Sequence, residues 1–156
     1  MPHDPAHLVN EVNETATASG WLMATGLPAG VTGGTATRRF AGVSDPPYDR
    51  ANYGLRCGDT PATVMRNRAL LRAVLQLSAE PVWLQQVHGV DVVVVDEAIA
   101  TDATQTPIAD ACVIRCRGTP AVIQTADCLP ILLASTASED IAAIHAGWRS
   151  LAGGVI

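Results

Sequence analysis

A chain of 156 residues, of which 48% are hydrophobic and 16% charged, is long enough to form a globular domain with a buried core. This composition excludes an intrinsically disordered protein. The formal net charge of −5 argues against a nucleic-acid partner, because phosphate binding needs a basic surface.

The expected compartment follows from what the chain lacks. No apolar run approaches the roughly 20 residues that span a bilayer, so we expect no membrane partner. Residues 1–20 lack the basic and apolar regions of a secretory signal. The four Cys have no framework-like spacing, which indicates free thiols. These features predict a cytoplasmic protein.

Residues 1–20 are polar, and we expect them to form a flexible N-terminus that precedes a domain over residues 21–156. His3 and His7 have the spacing of a metal-binding pair on a helix. Neighbouring prolines disfavour a helix there, so we assign no site to this pair.

The next part of the chain predicts short strands, a rigid loop and a helix. Gly, Val and Thr over residues 21–44 predict strands and turns, and Asp-Pro-Pro-Tyr at 45–48 predicts the loop. Thr60 is suited to cap a helix and Pro61 to occupy its first position. The apolar stripe expected to be buried is Val64, Leu71, Val74 and Leu75. The Arg residues expected to face solvent are Arg66, Arg68 and Arg72.

A series of short apolar runs then predicts strands. They are Val82–Val87, Val90–Val95, Ala111–Ile114, Ala121–Gln124, Pro130–Ala134 and Ile141–Ile144. The four consecutive Val at 92–95 predict a strand buried on both faces, and residues 96–110 predict a polar connection. A helix is predicted after Gly147, and the chain stops about two turns into it. We therefore expect an N-terminal fragment, truncated on its C-terminal side and neither stable nor active alone.

Three potential metal ligands follow apolar runs at predicted strand ends: His88, Cys128 and His145. One thiolate and two imidazoles are ligands that zinc prefers. Three protein ligands with an open fourth position are typical of catalytic zinc. Simpler interpretations stay open, because a His beside Gly is often a turn residue and a Cys in apolar surroundings is often inert.

The remaining polar and thiol groups suggest weaker candidates. Arg149 follows Gly147 at a predicted helix N-terminus, where free N–H groups and a guanidinium favour an anion such as phosphate. Asp127 is suited either to accept a proton or to cap a turn. Cys112 and Cys116 are interpreted as core thiols, and no role is assigned to Cys57.

Several short blocks together resemble one family closely. They are Gly42-Val43-Ser44, Pro47-Tyr48-Asp49, Asn52-Tyr53-Gly54, Gly58-Asp59, Asn67-Arg68, residues 81–89, Ala109-Asp110-Ala111, residues 125–133 and residues 143–149. The chain from about Thr35 onward is similar to the YfiH family, also called the laccase-domain, multicopper polyphenol oxidase or peptidoglycan editing factor family. It departs from the family pattern at Arg39, Phe40, Ala41 and Tyr53, so we expect the rim of the pocket to differ from that of the family.

The resemblance implies an α/β layered (α+β) fold of mixed β-sheets flanked by helices, like the catalytic domain of cytotoxic necrotising factors. It implies zinc bound by His88, Cys128 and His145, with copper as the alternative metal. It also implies phosphorolysis of adenosine, inosine and methylthioadenosine, with adenosine deamination as a further activity. The expected partners are a purine nucleoside and phosphate. Cys128, His145 and Arg149 are the expected catalytic residues, and the pocket candidates are Arg38, Ser44, Asn52 and Gln86.

Three other functions remain as alternatives. Cys128 and His145 without metal would form a nucleophile pair, as in a hydrolase that edits peptidoglycan precursors. Copper in the same site would suit the polyphenol oxidase, or laccase, activity that the family's older name describes. A zinc ion without turnover would indicate a non-catalytic scaffold.

Overall fold

A computed structural model describes residues 20–102 and 104–156, so the predicted flexible N-terminus, with His3 and His7, lies outside the described residues apart from Gly20. Within the described part, two sheets and three helices confirm the predicted α+β class with mixed strands. The chain divides into two compact units between Gln76 and Leu77. None of the helices in the described part is both long and apolar enough to cross a membrane.

The first unit contains a strand pair and one long helix. Strands β1 (Trp21–Met23) and β2 (Gly34–Ala36) pair in antiparallel fashion, which confirms the predicted short strands. Helix α1 (Pro61–Val74) begins with proline in its first turn, as predicted. Thr60 occupies the cap position, but its carbonyl rather than its side chain accepts the first hydrogen bond, from Val64 N.

Two predictions about α1 are wrong, the exposure of Arg68 and the burial of Val74. Arg66 and Arg72 are exposed as expected, but Arg68 is only 8% exposed. Position 68 lies one turn after Val64 and one turn before Leu71, so all three share the buried face of the helix. The Arg68 guanidinium donates twice to the carbonyl of Tyr53, at 2.8 and 3.0 Å, which provides a polar partner inside the unit. Val74, predicted to be buried, is 52% exposed.

A buried polar network attaches α1 to the loops before it. Asn67 is fully buried; its Oδ1 accepts from Val43 N, and its Nδ2 donates to Ser44 Oγ and to Asn52 O, each at 2.8 Å. Ser44 Oγ and Asn52 Nδ2 both donate to the carboxylate of Asp59, at 2.6 and 3.1 Å. These hydrogen bonds, rather than apolar contacts alone, fix the conformation of the loop that carries Ser44 and Asn52.

The second unit is built on a four-stranded mixed sheet of order β3-β4-β6-β5. The strands are β3 (Val92–Val95), β4 (Ala111–Ile114), β5 (Leu129–Ala134) and β6 (Ile141–Ala146). β3 pairs with β4 in parallel, while β6 pairs in antiparallel fashion with both β4 and β5. Helices α2 (Glu97–Thr101) and α3 (Trp148–Gly153) follow β3 and β6. The larger apolar cluster includes Val82, Leu84, Val95, Cys112, Ile114 and Ala143.

The prediction of a doubly buried β3 is wrong. β3 lies at an edge of the sheet, and Val92 and Val94 are 48% and 42% exposed. Only Val95 is fully buried, because alternate side chains of a strand point to opposite faces. The predicted polar connection after β3 also contains helix α2, whose N-cap residue Asp96 accepts a hydrogen bond from Ile99 N.

Two predicted strands are absent from the described residues. Val82–Val87 forms only an isolated bridge, between Gln85 and Ile108, and Ala121–Gln124 forms none. Val82, Leu84, Ala121 and Ile123 still pack in the core, but side chains accept hydrogen bonds from some backbone N–H groups of these segments. Val87 N donates to the carboxylate of Asp110, and Gln124 N donates to Gln86 Oε1.

Candidate metal centre

The three predicted metal ligands converge in the second unit. His88, Cys128 and His145 each offer a ligand atom, and these atoms all lie within 4.8 Å of one another. Cys128 Sγ lies 3.8 Å from His88 Nε2, and the two imidazole rings meet edge to face with centroids 4.7 Å apart. His145 is buried, Cys128 is partly buried and His88 is exposed, so the cluster opens to solvent on the His88 side.

The sheet brings two of these ligands together. Cys128 directly precedes β5, and His145 is the penultimate residue of β6. The two strands are antiparallel with Leu129 opposite Ala146, so the start of β5 lies beside the end of β6. His88 comes from the loop before β3 and has a φ of 59°, in the left-handed region that residues other than glycine seldom adopt.

The geometry and chemistry of this cluster fit a tetrahedral metal ion. Zinc–nitrogen and zinc–sulfur bonds of about 2.1 and 2.3 Å at tetrahedral angles separate nitrogen from sulfur by about 3.6 Å. The observed 3.8 Å between His88 Nε2 and Cys128 Sγ is close to that separation. Within residues 20–102 and 104–156, no other group of three His, Cys, Asp or Glu side chains is placed to bind a metal.

Asp110 is the residue of this site that the sequence analysis did not assign. It is fully buried, and its carboxylate accepts from His145 Nδ1 at 2.9 Å and from three consecutive backbone N–H groups, those of residues 87–89. Because Nδ1 of His145 is engaged, Nε2 is the ring nitrogen left for a metal. A charged residue at the start of an otherwise apolar strand, Ala109-Asp110-Ala111, was the sequence signal for it.

Electrostatics at the site favour a bound cation. Burial acts to raise the pKa of Asp110, but the hydrogen bonds from His145 and from residues 87–89 outweigh it and lower the pKa. Desolvation raises the pKa of the Cys128 thiol, and the negative charges of Asp127 and Asp110 raise it further. A thiolate at Cys128 therefore needs a positive charge beside it, which a metal ion supplies.

Gly147 lies where an added side chain would collide with two of the ligands. A Cβ atom at this position would lie 2.9 Å from Cys128 Sγ and 3.2 Å from His88 Cδ2, closer than real Cβ atoms normally approach. The thiol and the imidazole therefore occupy space that a side chain at residue 147 would need. At Gly89, by contrast, a Cβ would meet Asp110 Oδ2 at 3.4 Å, an ordinary contact.

The other predicted residues of this unit have defined positions. Arg149 lies in α3, is exposed and places its guanidinium 4.7 Å from the centroid of the Trp148 ring. Gln86 makes two hydrogen bonds of 2.7 Å with the backbone of Gln124, so both of its amide atoms are engaged. Asp127 Oδ1 accepts from Cys128 Sγ at 3.7 Å.

The other pocket candidates belong to the first unit. Ser44 and Asn52 donate to Asp59, whose pKa is lowered first by the bond from Ser44, against a smaller opposing effect of burial, and further by that from Asn52. Arg38 is exposed, pairs with Asp49 at 2.5 Å and donates to the carbonyl of Pro47.

The other three cysteines form no disulfide bond. Cys112 is buried in the core and Cys116 is partly buried, with its Sγ 3.3 Å from Thr119 Oγ1, which agrees with their interpretation as core thiols. Cys57 is exposed, and its thiol donates to Asn52 Oδ1 and to the carbonyl of Gly54.

Comparison with known proteins finds a matching family model and similar proteins that share one name. A family model described as multi-copper polyphenol oxidoreductase laccase matches residues 34–156. A Shigella flexneri protein named purine nucleoside phosphorylase YfiH is 45% identical over 130 residues, which are 83% of this chain and 51% of that protein. The Escherichia coli K12 protein of the same name is 44% identical over 129 residues, with coverage of 83% and 51%.

Solved structures show the same fold. A Neisseria meningitidis protein superposes with a TM-score of 0.76 at 39% identity, over 87% of this chain and 54% of that one. YlmD from Geobacillus stearothermophilus superposes with a TM-score of 0.74 at 31% identity, over 88% and 53% of the two chains. The chain thus spans about half the length of the curated relatives it matches.

Proposed function

Because this chain belongs to the multi-copper polyphenol oxidoreductase laccase family, also called the YfiH family, we propose that it carries the metal centre of a zinc-dependent purine nucleoside phosphorylase. The convergence of His88, Cys128 and His145 within 4.8 Å is the observation that carries this proposal. The names of the curated relatives supply the reaction class, and adenosine, inosine and methylthioadenosine are the proposed nucleosides.

Zinc suits this site better than a set of copper ions. The described residues offer one three-ligand group, which holds one ion, whereas a multi-copper oxidase needs several metal centres. Bound zinc would supply positive charge that stabilises developing negative charge in the transition state. His88, Cys128 and His145 would hold it, and the exposed His88 side leaves the site accessible to substrate.

The residues of this chain then act on the two substrates. In phosphorolysis, a phosphate oxygen bonds to the anomeric carbon as the bond to the base breaks, through an oxocarbenium-like transition state. Arg149 presents an exposed guanidinium, which forms paired hydrogen bonds with two phosphate oxygens. Arg38, Ser44 and Asn52 remain predicted pocket residues, within the first unit. In the second unit, Gln86 positions the segment that leads to Cys128 through its bonds to Gln124.

Two alternatives receive different support. An open metal site would also serve adenosine deamination, in which water replaces the exocyclic amine. A metal-free pair of Cys128 and His145 is less consistent with the site, because the raised pKa of Cys128 disfavours the thiolate when no cation is present.

Substitution of Cys128 by alanine, in protein expressed from the complete reading frame, tests the proposal. We expect the purified Cys128→Ala protein to lose most of its zinc, measured by mass spectrometry, and all phosphorolysis of adenosine and inosine. Cys57→Ala is the matched control for metal content, because that thiol donates to Asn52 and Gly54 of the first unit and is not one of the three proposed ligands. A Cys128→Ala protein with stoichiometric zinc would contradict the ligand set, and a zinc-loaded wild-type protein without phosphorolysis would indicate the scaffold alternative.

A further inference from the structure

Asp110 contacts two of the three metal-ligand segments at once. Its Oδ1 accepts from His145 Nδ1 and from His88 N, each at 2.9 Å. Its Oδ2 accepts from Gly89 N at 2.6 Å and from Val87 N at 3.1 Å. The main chain is engaged as well, because Asp110 O accepts from His145 N at 2.8 Å.

The four side-chain bonds fill the acceptor capacity of the carboxylate. Each oxygen of an ionised carboxylate has two lone-pair sites, and each oxygen of Asp110 already accepts two hydrogen bonds. Asp110 is also fully buried. It therefore has no free acceptor for a metal ion or a substrate, and its effect on the site must pass through the residues that it holds.

The bond to His145 decides which nitrogen of that imidazole carries the proton. A carboxylate only accepts, so Nδ1 of His145 donates to it and carries hydrogen. In a neutral imidazole the other nitrogen, Nε2, is then an acceptor and presents its lone pair to the centre. The ring also cannot rotate without losing a buried hydrogen bond, so its orientation is fixed before a metal arrives.

The three backbone bonds act on His88 in a different way. A φ of 59° is unfavourable for a side-chain-bearing residue and persists only where the surroundings hold it. The N–H groups of residues 87–89 all converge on the Asp110 carboxylate, which holds the backbone in this turn. The position of the His88 imidazole therefore depends on a carboxylate that the imidazole does not touch.

We propose that Asp110 is the shared positioning residue of the metal centre, which sets the tautomer of His145 and the backbone conformation of His88 together. The proposal rests on the proposed metal site, but it does not depend on phosphorylase activity. It assigns to one buried side chain the preorganisation of two ligands that lie 57 residues apart in the sequence.

The first test uses the metal-free wild-type protein. Long-range proton–nitrogen NMR of the imidazoles distinguishes hydrogen on Nδ1 from hydrogen on Nε2. We expect His145 to carry its hydrogen on Nδ1 before any metal is added. A carboxylate that stabilised the fold without accepting from His145 would not fix the hydrogen on that nitrogen. A wild-type His145 protonated on Nε2 alone would overturn the proposal, and this measurement requires no variant to fold.

The second test replaces the carboxylate with an isosteric amide. In Asp110→Asn one oxygen becomes an NH₂ group, which faces N–H donors. At the Oδ1 position it leaves His145 Nδ1 and His88 N without an acceptor, and at the Oδ2 position it leaves Val87 N and Gly89 N without one. We expect zinc affinity, measured by chelator competition, to fall by roughly 10- to 100-fold, as for other residues that orient metal ligands. We also expect the cobalt-substituted protein to show an altered thiolate-to-metal charge-transfer band.

Asp59→Asn is the matched control, since Asp59 also accepts hydrogen bonds from two side chains and from a backbone N–H, but in the first unit. We expect its zinc affinity and cobalt spectrum to match those of the wild type. An Asp110→Asn protein with wild-type affinity and spectrum would overturn the positioning role. A protein whose zinc affinity depends on Asp110 but which phosphorolyses no nucleoside would support that role and contradict the proposed function.

Discussion

The cation closest in sequence to the last metal ligand is Arg149, four residues after His145. If it binds phosphate as proposed, Arg149→Ala should raise the KM for phosphate by roughly ten-fold or more, because a charged, bidentate hydrogen bond is lost. The KM for the nucleoside should change much less. Steady-state kinetics at varied phosphate, with Arg115→Ala as a control for the loss of an exposed cation, provides the test. An unchanged phosphate KM beside a raised nucleoside KM would contradict the role.

Two glycines beside the metal ligands should differ in their tolerance of a methyl group. At Gly147 an added Cβ would lie 2.9 Å from Cys128 Sγ, while at Gly89 its nearest neighbour would be Asp110 Oδ2 at 3.4 Å. We therefore expect Gly147→Ala to displace the thiol and lower zinc content substantially, while Gly89→Ala retains near-stoichiometric zinc. Metal analysis of the two purified variants decides this, and equal zinc content in both would show that the contact at Gly147 is relieved without cost.

Ionisation of Tyr53 should lower the stability of the first unit at alkaline pH. Burial raises the pKa of its phenol from 10.0 to about 12, because the charged phenolate is poorly solvated there. The folded protein thus holds the phenolic proton more tightly than the unfolded chain does. This contribution to stability is fully present below pH 10 and is lost as the pH rises towards 12.

Denaturant unfolding of the wild type and Tyr53→Phe between these pH values checks the linkage. The wild type should lose more stability than the variant, which has no phenol to ionise. Parallel pH profiles for the two proteins would show that Tyr53 ionises alike in both states.

At the scale of elements, α1 depends on a polar side chain as much as on its apolar stripe. Asn67→Ala removes three hydrogen bonds from a fully buried position and leaves Val43 N and Asn52 O without that partner. We expect a loss of about 2–4 kcal/mol in unfolding free energy, by urea denaturation. Met65→Ala, on the same helix but 54% exposed, should change it by less than about 1 kcal/mol. A similar small effect at both positions would contradict the importance of the network.

The local sequence pattern predicted helices and strands correctly where the backbone hydrogen bonding is regular. The bounds predicted for β4, Ala111–Ile114, are those observed, and the proline at the start of α1 was placed correctly. It failed over residues 82–87 and 121–124, where β propensity is equally high. There Asp110 and Gln86 supply hydrogen-bond partners to the backbone, and such partners lie too far away in the sequence for a local pattern to show.

In the candidate metal centre, too, some residues could be predicted from the sequence and others could not. The resemblance and the ligand chemistry placed His88, Cys128 and His145 correctly in one cluster, because residue type alone limits what a metal binds. Asp110 was missed, because a positioning residue is defined by the groups it touches and not by its own chemistry. Arg68 was misplaced for a related reason: a guanidinium is normally exposed, and the Tyr53 carbonyl to which it donates lies outside the helix.

For the whole molecule, bound metal should stabilise the two units unequally. All three proposed ligands lie after Leu77, in the second unit. A ligand that binds only the folded state at about 1,000 times its Kd adds about 4 kcal/mol. Removal of zinc by a chelator should therefore increase amide hydrogen exchange in Ile141–Ala146 more than in Pro61–Val74. Equal increases in both segments would show that the metal stabilises the chain as one cooperative body.

The exposed indole beside the centre has a consequence for spectroscopy. Trp148 is 71% exposed and follows directly after the glycine that touches Cys128. The chain contains three tryptophans, so Trp148 is one of three indoles that contribute to the intrinsic fluorescence. Cupric ions have an open d shell and quench a nearby indole, whereas zinc has a filled d shell and leaves it bright. The emission of Trp148 should therefore distinguish bound zinc from the copper that the family's name describes.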